Sequence, residues 1–238
     1  VAALREHARY ALPPNVEQEI AELAARYGRV VITRDGDWLC CACLDEATAE
    51  RLSRDQQAGK YLTVRIDRTN FRVDPGQRGV LKQALIMAGF PAEDLAGYVA
   101  GEPFSVVLRE SPVFAVRDYQ RQAAEAFYLA GSERGGSGVV VLPCGAGKTI
   151  VGLAAMQLVG QTALVLTTSL TAVQQWRREL LDKTMLRPAD IAEYTGERKN
   201  TGPVTLTTYQ ILTWRADREG EFPHLELFRA RSWGLIIY

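Results

Sequence analysis

The sequence predicts an α/β fold: a partial parallel-sheet domain preceded by a small α+β domain. Three observations carry this. Beyond residue 112 or so, helical stretches alternate with short apolar runs at Val139 to Leu142, Leu164 to Leu166, Val204 to Thr208 and Gly234 to Tyr238, the pattern of strands covered on both faces. Before residue 100, hairpin signals mix with short amphipathic helices instead. Between two of the later elements stands a glycine-rich turn, Gly145-Ala146-Gly147-Lys148-Thr149, which joins an apolar run to a helix. Composition agrees. The 238 residues include 28 basic and 28 acidic side chains, and 47% are hydrophobic, which excludes collagen-like, disordered and disulfide-scaffold classes. No apolar run approaches the ~18 residues of a membrane span, so no membrane partner is expected. With neither a leader nor an initiator Met, Val1-Ala2-Ala3-Leu4 reads as an interior point of a longer chain. A net charge of zero decides nothing about nucleic acid, because a local patch can bind phosphates.

In the first region, Asn15 is expected to cap a helix through Tyr27 that places Val16, Ile20, Leu23 and Ala24 on one face and ends at Gly28. Arg29 to Thr33 and Trp38 to Leu44 read as strands joined by Arg34-Asp35-Gly36-Asp37, a hairpin signal through its Asp-Gly. Asp45 starts a short helix to about Arg54, and Tyr61 to Asp67 alternates like a half-buried strand, with Phe71 to Val73 nearby. Gln77 to Gly89 reads as a helix. Cys40, Cys41 and Cys43 lack the spacers and histidines of a zinc site, so they are expected to be apolar residues of a buried strand; unpaired thiols suit a reducing compartment. Residues 1–110 thus form the small domain, with a linker at about 101–112 from Glu102-Pro103 to Ser111-Pro112, and residues 111–238 form the second domain. There a helix capped by Asp118 is expected to run to Ala130, and a flexible turn at 134–138 leads into the Val139 to Leu142 strand.

The turn after that strand carries the chemistry. Gly145 and Gly147 let backbone N–H groups converge on phosphate oxygens, and the helix that follows adds its positive end. Lys148 can reach terminal phosphates and the Thr149 hydroxyl can hold Mg²⁺. One position departs from the strict G-x-x-x-x-G-K-[ST] pattern: Leu142 stands where it has glycine. Cys144 reads as a small residue that fits the loop, the alternative being a thiol activated at a helix start.

With the loop in place, Leu142-Pro143-Cys144-Gly145-Ala146-Gly147-Lys148-Thr149 resembles motif I of the XPB-type superfamily 2 DNA helicases, in the bacterial and archaeal branch. Val116-Arg117-Asp118-Tyr119-Gln120 is similar to the family's segment beside the nucleotide base, and Leu164-Val165-Leu166-Thr167-Thr168-Ser169 with Gln175-Trp176 to motif Ia. Tyr194 to Lys199, Val204 to Gln210, Phe222 to Phe228 and Trp233 to Tyr238 continue the likeness. Before the motor it is weaker: Glu93-Asp94-Leu95-Ala96-Gly97-Tyr98 resembles the segment preceding it, and the small domain sits where the family has its damage-recognition domain.

The resemblance implies a RecA-like P-loop motor domain and an ATP-dependent DNA helicase or translocase, moving 3′ to 5′ in repair or transcription, in the cytoplasm of a bacterium or archaeon. It implies ATP and Mg²⁺ as cofactors, Lys148 and Thr149 as catalytic residues, Thr149 as metal ligand, and nucleotide binding by Arg117, Tyr119, Gln120, Pro143, Cys144, Gly145, Ala146 and Gly147. It assigns DNA, single-stranded or distorted duplex, to Thr168, Gln175, Trp176, Thr195, Gly196, Thr207 and Thr208, and leaves open a nuclease or a repair or transcription factor as protein partner. The family's Asp-Glu-x-His motif is expected to follow Tyr238, so the fragment by itself is not expected to hydrolyse ATP. Two alternatives remain: a double-stranded DNA translocase that does not separate strands, and a module that binds DNA or a partner beside a passive motor fragment.

Overall fold

In the computed structural model, which describes residues 2–111 and 113–238, the Asp-Gly signal makes the hairpin it announces. Gly36 takes φ +58° between β1 (Val30–Asp35) and β2 (Trp38–Cys43), a left-handed turn that a side chain would strain. The register pairs Val30 with Cys43 and Ile32 with Cys41, so one face of the hairpin is apolar and buried. β3 (Val64–Arg65), β4 (Asn70–Val73) and β5 (Glu93–Asp94) complete a sheet in the order β3-β4-β2-β1-β5, antiparallel except where β5 runs parallel to β1. Helices α1 (Ala2–His7), α2 (Pro14–Arg26), α3 (Glu46–Ser53) and α4 (Arg78–Met87) accompany it. Leu52 of α3 and Leu81 and Leu85 of α4 pack with Ile32, Leu39, Cys41 and Phe71 into one core. This unit runs to Gly97; a second runs from Tyr98 to Tyr238.

Several boundaries differ from expectation for local reasons. Pro14 opens α2 with Pro13 as cap, since proline suits the first turn, and Asn15 lies inside the helix. Leu23 of the expected apolar face is exposed. Asp45 does cap α3, its Oδ1 accepting from the Thr48 N–H at 2.7 Å. The strand expected over 61–67 shrinks to Val64–Arg65, both exposed, because the Asp67 carboxylate gathers the Thr69 and Asn70 N–H groups at 2.8 and 2.9 Å and turns the chain early.

Among the described residues the second unit holds four parallel strands, β6 (Ala163–Thr167), β7 (Ile191–Tyr194), β8 (Val204–Thr208) and β9 (Leu235–Ile237), in the order β7-β8-β6-β9. Every residue of β6 and β8 is buried, as expected of strands covered on both faces. On one face, α5 (Asp118–Tyr128), α6 (Lys148–Val159) and α7 (Leu170–Lys183) close a core around Leu153, Met156, Val165, Val173, Leu180 and Leu206. On the other, Leu164 and Leu166 meet Leu212 of α8 (Tyr209–Leu212) and Leu227 of the 3₁₀ turn Pro223–Phe228. The cap of α5 is Arg117, whose N–H donates to the Gln120 side chain, and the helix stops at Tyr128, before Leu129 and Ala130 turn left-handed.

Two expectations are corrected here. Val139 to Leu142 is not a strand, and Val139 and Val141 are 87% and 86% exposed. An apolar run becomes a strand only by pairing, and among the described residues β9 pairs on its β6 side alone. Nor is 101–111 a linker. The Phe104 N–H donates to Gly160 O at 3.0 Å, the Met185 N–H to Val107 O at 2.9 Å, and Val106 is buried in the second core. Proline and glycine there mark irregular backbone that still packs tightly; Pro112, the last residue of the expected linker, lies outside the described residues.

Asp94 closes the first unit. Arg78 donates to both its carboxylate oxygens, at 2.9 and 2.8 Å, and Lys82 to one at 2.8 Å. Burial alone pushes this carboxyl up; the hydrogen bonds from Arg78, Lys82 and the Ala96 N–H outweigh it and hold the group below its ordinary value. A depressed folded pKa stabilises above the unfolded value, about 3.9 for Asp, and that contribution is lost as pH falls through the folded value. Asp94→Asn is therefore expected to lower the stability of the first unit by about 3 kcal/mol at neutral pH. The gap from the parent should narrow in acid. Urea unfolding at both pH values checks this, and a gap independent of pH would refute the role of the charge.

Candidate nucleotide site and nucleic-acid edge

The glycine-rich turn reaches α6 through two left-handed residues, Gly145 at φ +77° and Gly147 at φ +79°. Such a turn directs successive N–H groups to one side, and the first turn of α6 adds N–H groups without intrahelical acceptors. Six of the twelve residues of α6 are buried, so the core fixes the helix and the position of its N-terminus. Lys148, its first residue, folds back over the loop: Nζ donates to Leu142 O at 2.9 Å and to Pro143 O at 3.3 Å.

The start of α5 holds the loop from the side. Gln120 is 4% exposed; its Oε1 accepts from the Arg117 N–H at 3.0 Å and its Nε2 donates to Ala146 O at 2.9 Å. Tyr119 Oη also donates to Ala146 O, at 2.7 Å, and accepts from Arg117 Nη1 at 3.2 Å. A cavity of about 530 Å³ opens beside these groups, lined by Phe114, Arg117, Gln120, residues 145–150, and Gln175, Glu179 and Lys183 of α7. Pro143 and Cys144 are exposed on the loop outside that lining, and Tyr119 supports the loop without facing the cavity. Loop amides, an ammonium and the Thr149 hydroxyl form a donor set suited to a phosphate chain.

Sequence reasoning missed part of this wall. Gln175, expected on a single-strand path, lines the cavity beside the glycine turn with Glu179 and Lys183. Their four-residue spacing on one helix was the available signal. Trp176 turns the other way: its Cη2 would lie 2.6 Å from a Cβ added to Gly152 of α6, and it borders a second cavity of about 430 Å³ with Val139, Val140, Val165 and Ile237.

Because all four strands run parallel, their C-terminal ends share one edge, and Thr168, Thr195, Gly196, Thr207 and Thr208 gather there. Thr168 and Gly196 are exposed. Thr207 is fully buried and its hydroxyl donates to Tyr194 O at 2.7 Å; Thr208 caps α8 through the Ile211 N–H. Lys199 Nζ donates to Thr195 O at 2.6 Å and stands 5.2 Å from the Tyr194 ring centroid, and burial pushes its pKa down. Tyr194 Oη meets His224 Nδ1 at 3.0 Å; burial, then the nearby Lys199 charge, lower the His224 pKa.

The whole chain is 47% identical to the DNA 3′-5′ helicase XPB of Mycobacterium tuberculosis. The chain belongs to the XPB-type helicase family. It is 46% identical over its whole length to the protein of the same name from Kineococcus radiotolerans, and it spans 42% of each of these two relatives. A protein from Enterocytozoon bieneusi named as the XPB helicase/translocase subunit of general transcription and DNA repair factor IIH is 25% identical over 98% of the chain, which covers 41% of it. The family model described as type III restriction enzyme, res subunit, matches residues 113–230. Among solved structures, the UvsW helicase of bacteriophage T4 aligns with a TM-score of 0.46 at 15% identity, over 87% of this chain and 81% of that one. Membership of a helicase family implies use of ATP.

A Cβ at Gly147 would lie 2.5 Å from Gln120 Nε2, at a φ that branched side chains avoid. Gly147→Val is expected to weaken ATP binding at least tenfold, about 1.4 kcal/mol, by displacing Gln120 from Ala146. Calorimetric titration checks this; affinity equal to the parent's would reject the cradle.

Proposed function

We propose that this chain carries the nucleotide-binding part of an ATP-dependent DNA helicase or translocase that moves 3′ to 5′ in DNA repair or transcription. The observation that carries the reading is the phosphate loop at the N-terminus of a buried helix, tied through Ala146 to Gln120 and Tyr119 and bordered by a cavity of nucleotide scale. The names of the similar proteins supply the substrate and the direction.

In this reading Gly145, Ala146 and Gly147 present amides to the phosphates, and Lys148 leaves the loop carbonyls to neutralise charge there. Arg117 borders the cavity beyond the loop, and Gln120, with both ends of its amide bonded, braces the loop. Mg²⁺ fits as a companion of the triphosphate. Among the described residues no three His, Cys, Asp or Glu side chains converge on a metal, so the ion would take the Thr149 hydroxyl together with phosphate oxygens and water. It would screen the charge of the phosphates. DNA would follow the strand edge, where exposed Thr168 and Gly196 offer small polar contacts that can be made and broken. Thr195, Thr207 and Thr208 would set the shape of that edge through their bonds to the backbone. We place this role in the cytoplasm of a bacterium or archaeon, with a nuclease or a repair or transcription factor as partner.

The match to the restriction-enzyme res subunit favours a second reading, translocation on duplex DNA without strand separation. Strand displacement on a forked substrate distinguishes the two. For the motor itself, ATP hydrolysis by the full-length protein should rise when single-stranded DNA is added. Lys148→Ala should lower that rate on the order of 10²–10³-fold with an unchanged melting temperature, since the residue is exposed. Undiminished hydrolysis in the variant would sink the loop assignment.

A further inference from the structure

The cavity beside the phosphate loop has a wall that phosphate binding does not require. Gln175, Glu179 and Lys183 recur every fourth residue on α7, and all three line it. At 1.5 Å per residue, Gln175 to Lys183 covers about 12 Å, the scale of a nucleotide from its phosphates to its base. The direction is set as well: α7 starts just after the C-terminal end of β6, so Gln175 lies toward the strand-end edge and Lys183 away from it.

At the far end, the Lys183 ammonium pairs with the Glu179 carboxylate and stands 5.5 Å from the centroid of the Phe114 ring. This end is held in place from outside. The Arg109 N–H donates to Lys183 O at 2.8 Å, and the Ser111 N–H to Phe114 O at 2.8 Å. A Glu-to-Lys pair four apart stabilises a helix by only a few tenths of a kcal/mol, and that modest role does not account for its place opposite a phosphate loop.

We propose that this face of α7 determines nucleotide selectivity: Gln175 lies at the phosphates, Glu179 accepts hydrogen bonds from the ribose hydroxyls, and Lys183 with Phe114 holds the base. The proposal rests on the reading of the cavity as a nucleoside triphosphate site. A carboxylate only accepts, and a ribose offers two hydroxyl donors. An ammonium donates to the ring nitrogens of a base, and an aromatic ring gives it a face to stack on.

The test is calorimetric titration of the full-length protein with ATP, 2′,3′-dideoxy-ATP and inorganic tripolyphosphate. The unsubstituted protein should bind dideoxy-ATP about tenfold more weakly than ATP. Glu179→Ala, which leaves no acceptor there, should remove that difference. Phe114→Leu and Lys183→Met should each weaken ATP about threefold to tenfold and leave tripolyphosphate within twofold. Equal binding of ATP and dideoxy-ATP by the unsubstituted protein, or equal loss of tripolyphosphate in the variants, would overturn the assignment of α7. If Lys148→Ala bound ATP as tightly as the parent, the nucleotide site itself would be misplaced, and this proposal would fall with it.

Discussion

A single buried amide, that of Gln120, holds the loop to the fold. One end caps α5 by accepting from the Arg117 N–H; the other donates to Ala146 O. A primary amide offers both roles in one rigid plane, so the distance between helix start and loop is set by the length of one side chain. At 4% exposure, a lost partner would not be replaced by water, and an unmade hydrogen bond there costs far more than a surface one. Tyr119 Oη meets the same carbonyl. The loop thus has little freedom at Ala146, although Pro143, Cys144 and Gly145 are exposed.

The fold around that tie shows why an α/β architecture suits it. α6 is apolar on nearly all sides and serves as the packed centre of its layer. A site at the end of such a helix inherits the stiffness of the core, while its open side remains free to accept ligand. The first unit is built differently. It is a mostly antiparallel sheet with helices against one apolar face, and its ion cluster of Arg78, Lys82 and Asp94 joins α4 to the edge strand β5.

Much of this was legible in the sequence, and the failures have physical causes. The Asp-Gly hairpin, the Asp45 cap, the buried strands β6 and β8 and the helix that follows the glycine turn each depend on local chemistry or a strong periodicity, and each appears as read. The strand expected at Val139 to Leu142 depended on a neighbour, and apolar composition contains no information about pairing. The linker misread confused irregular backbone with loose backbone; Val106 packs in the core without any regular element. At the site, loop residues were visible because glycine and lysine carry unusual constraints. Glu179 and Lys183 were not, since on a helix they look like any solvated pair. Gln175 and Trp176, adjacent in sequence, point into different cavities, a consequence of the 100° helical step that a motif string hides.

The bent-back Lys148 makes the turn a closed ring. An ammonium bonded to the carbonyls of Leu142 and Pro143 joins the first residue of α6 to the start of the turn, so a side chain as well as backbone spans it. Because the bond sits at the end of an exposed, flexible stem, it can be made or broken by side-chain rotation, a motion of nanoseconds, with no segment of the chain folding or unfolding.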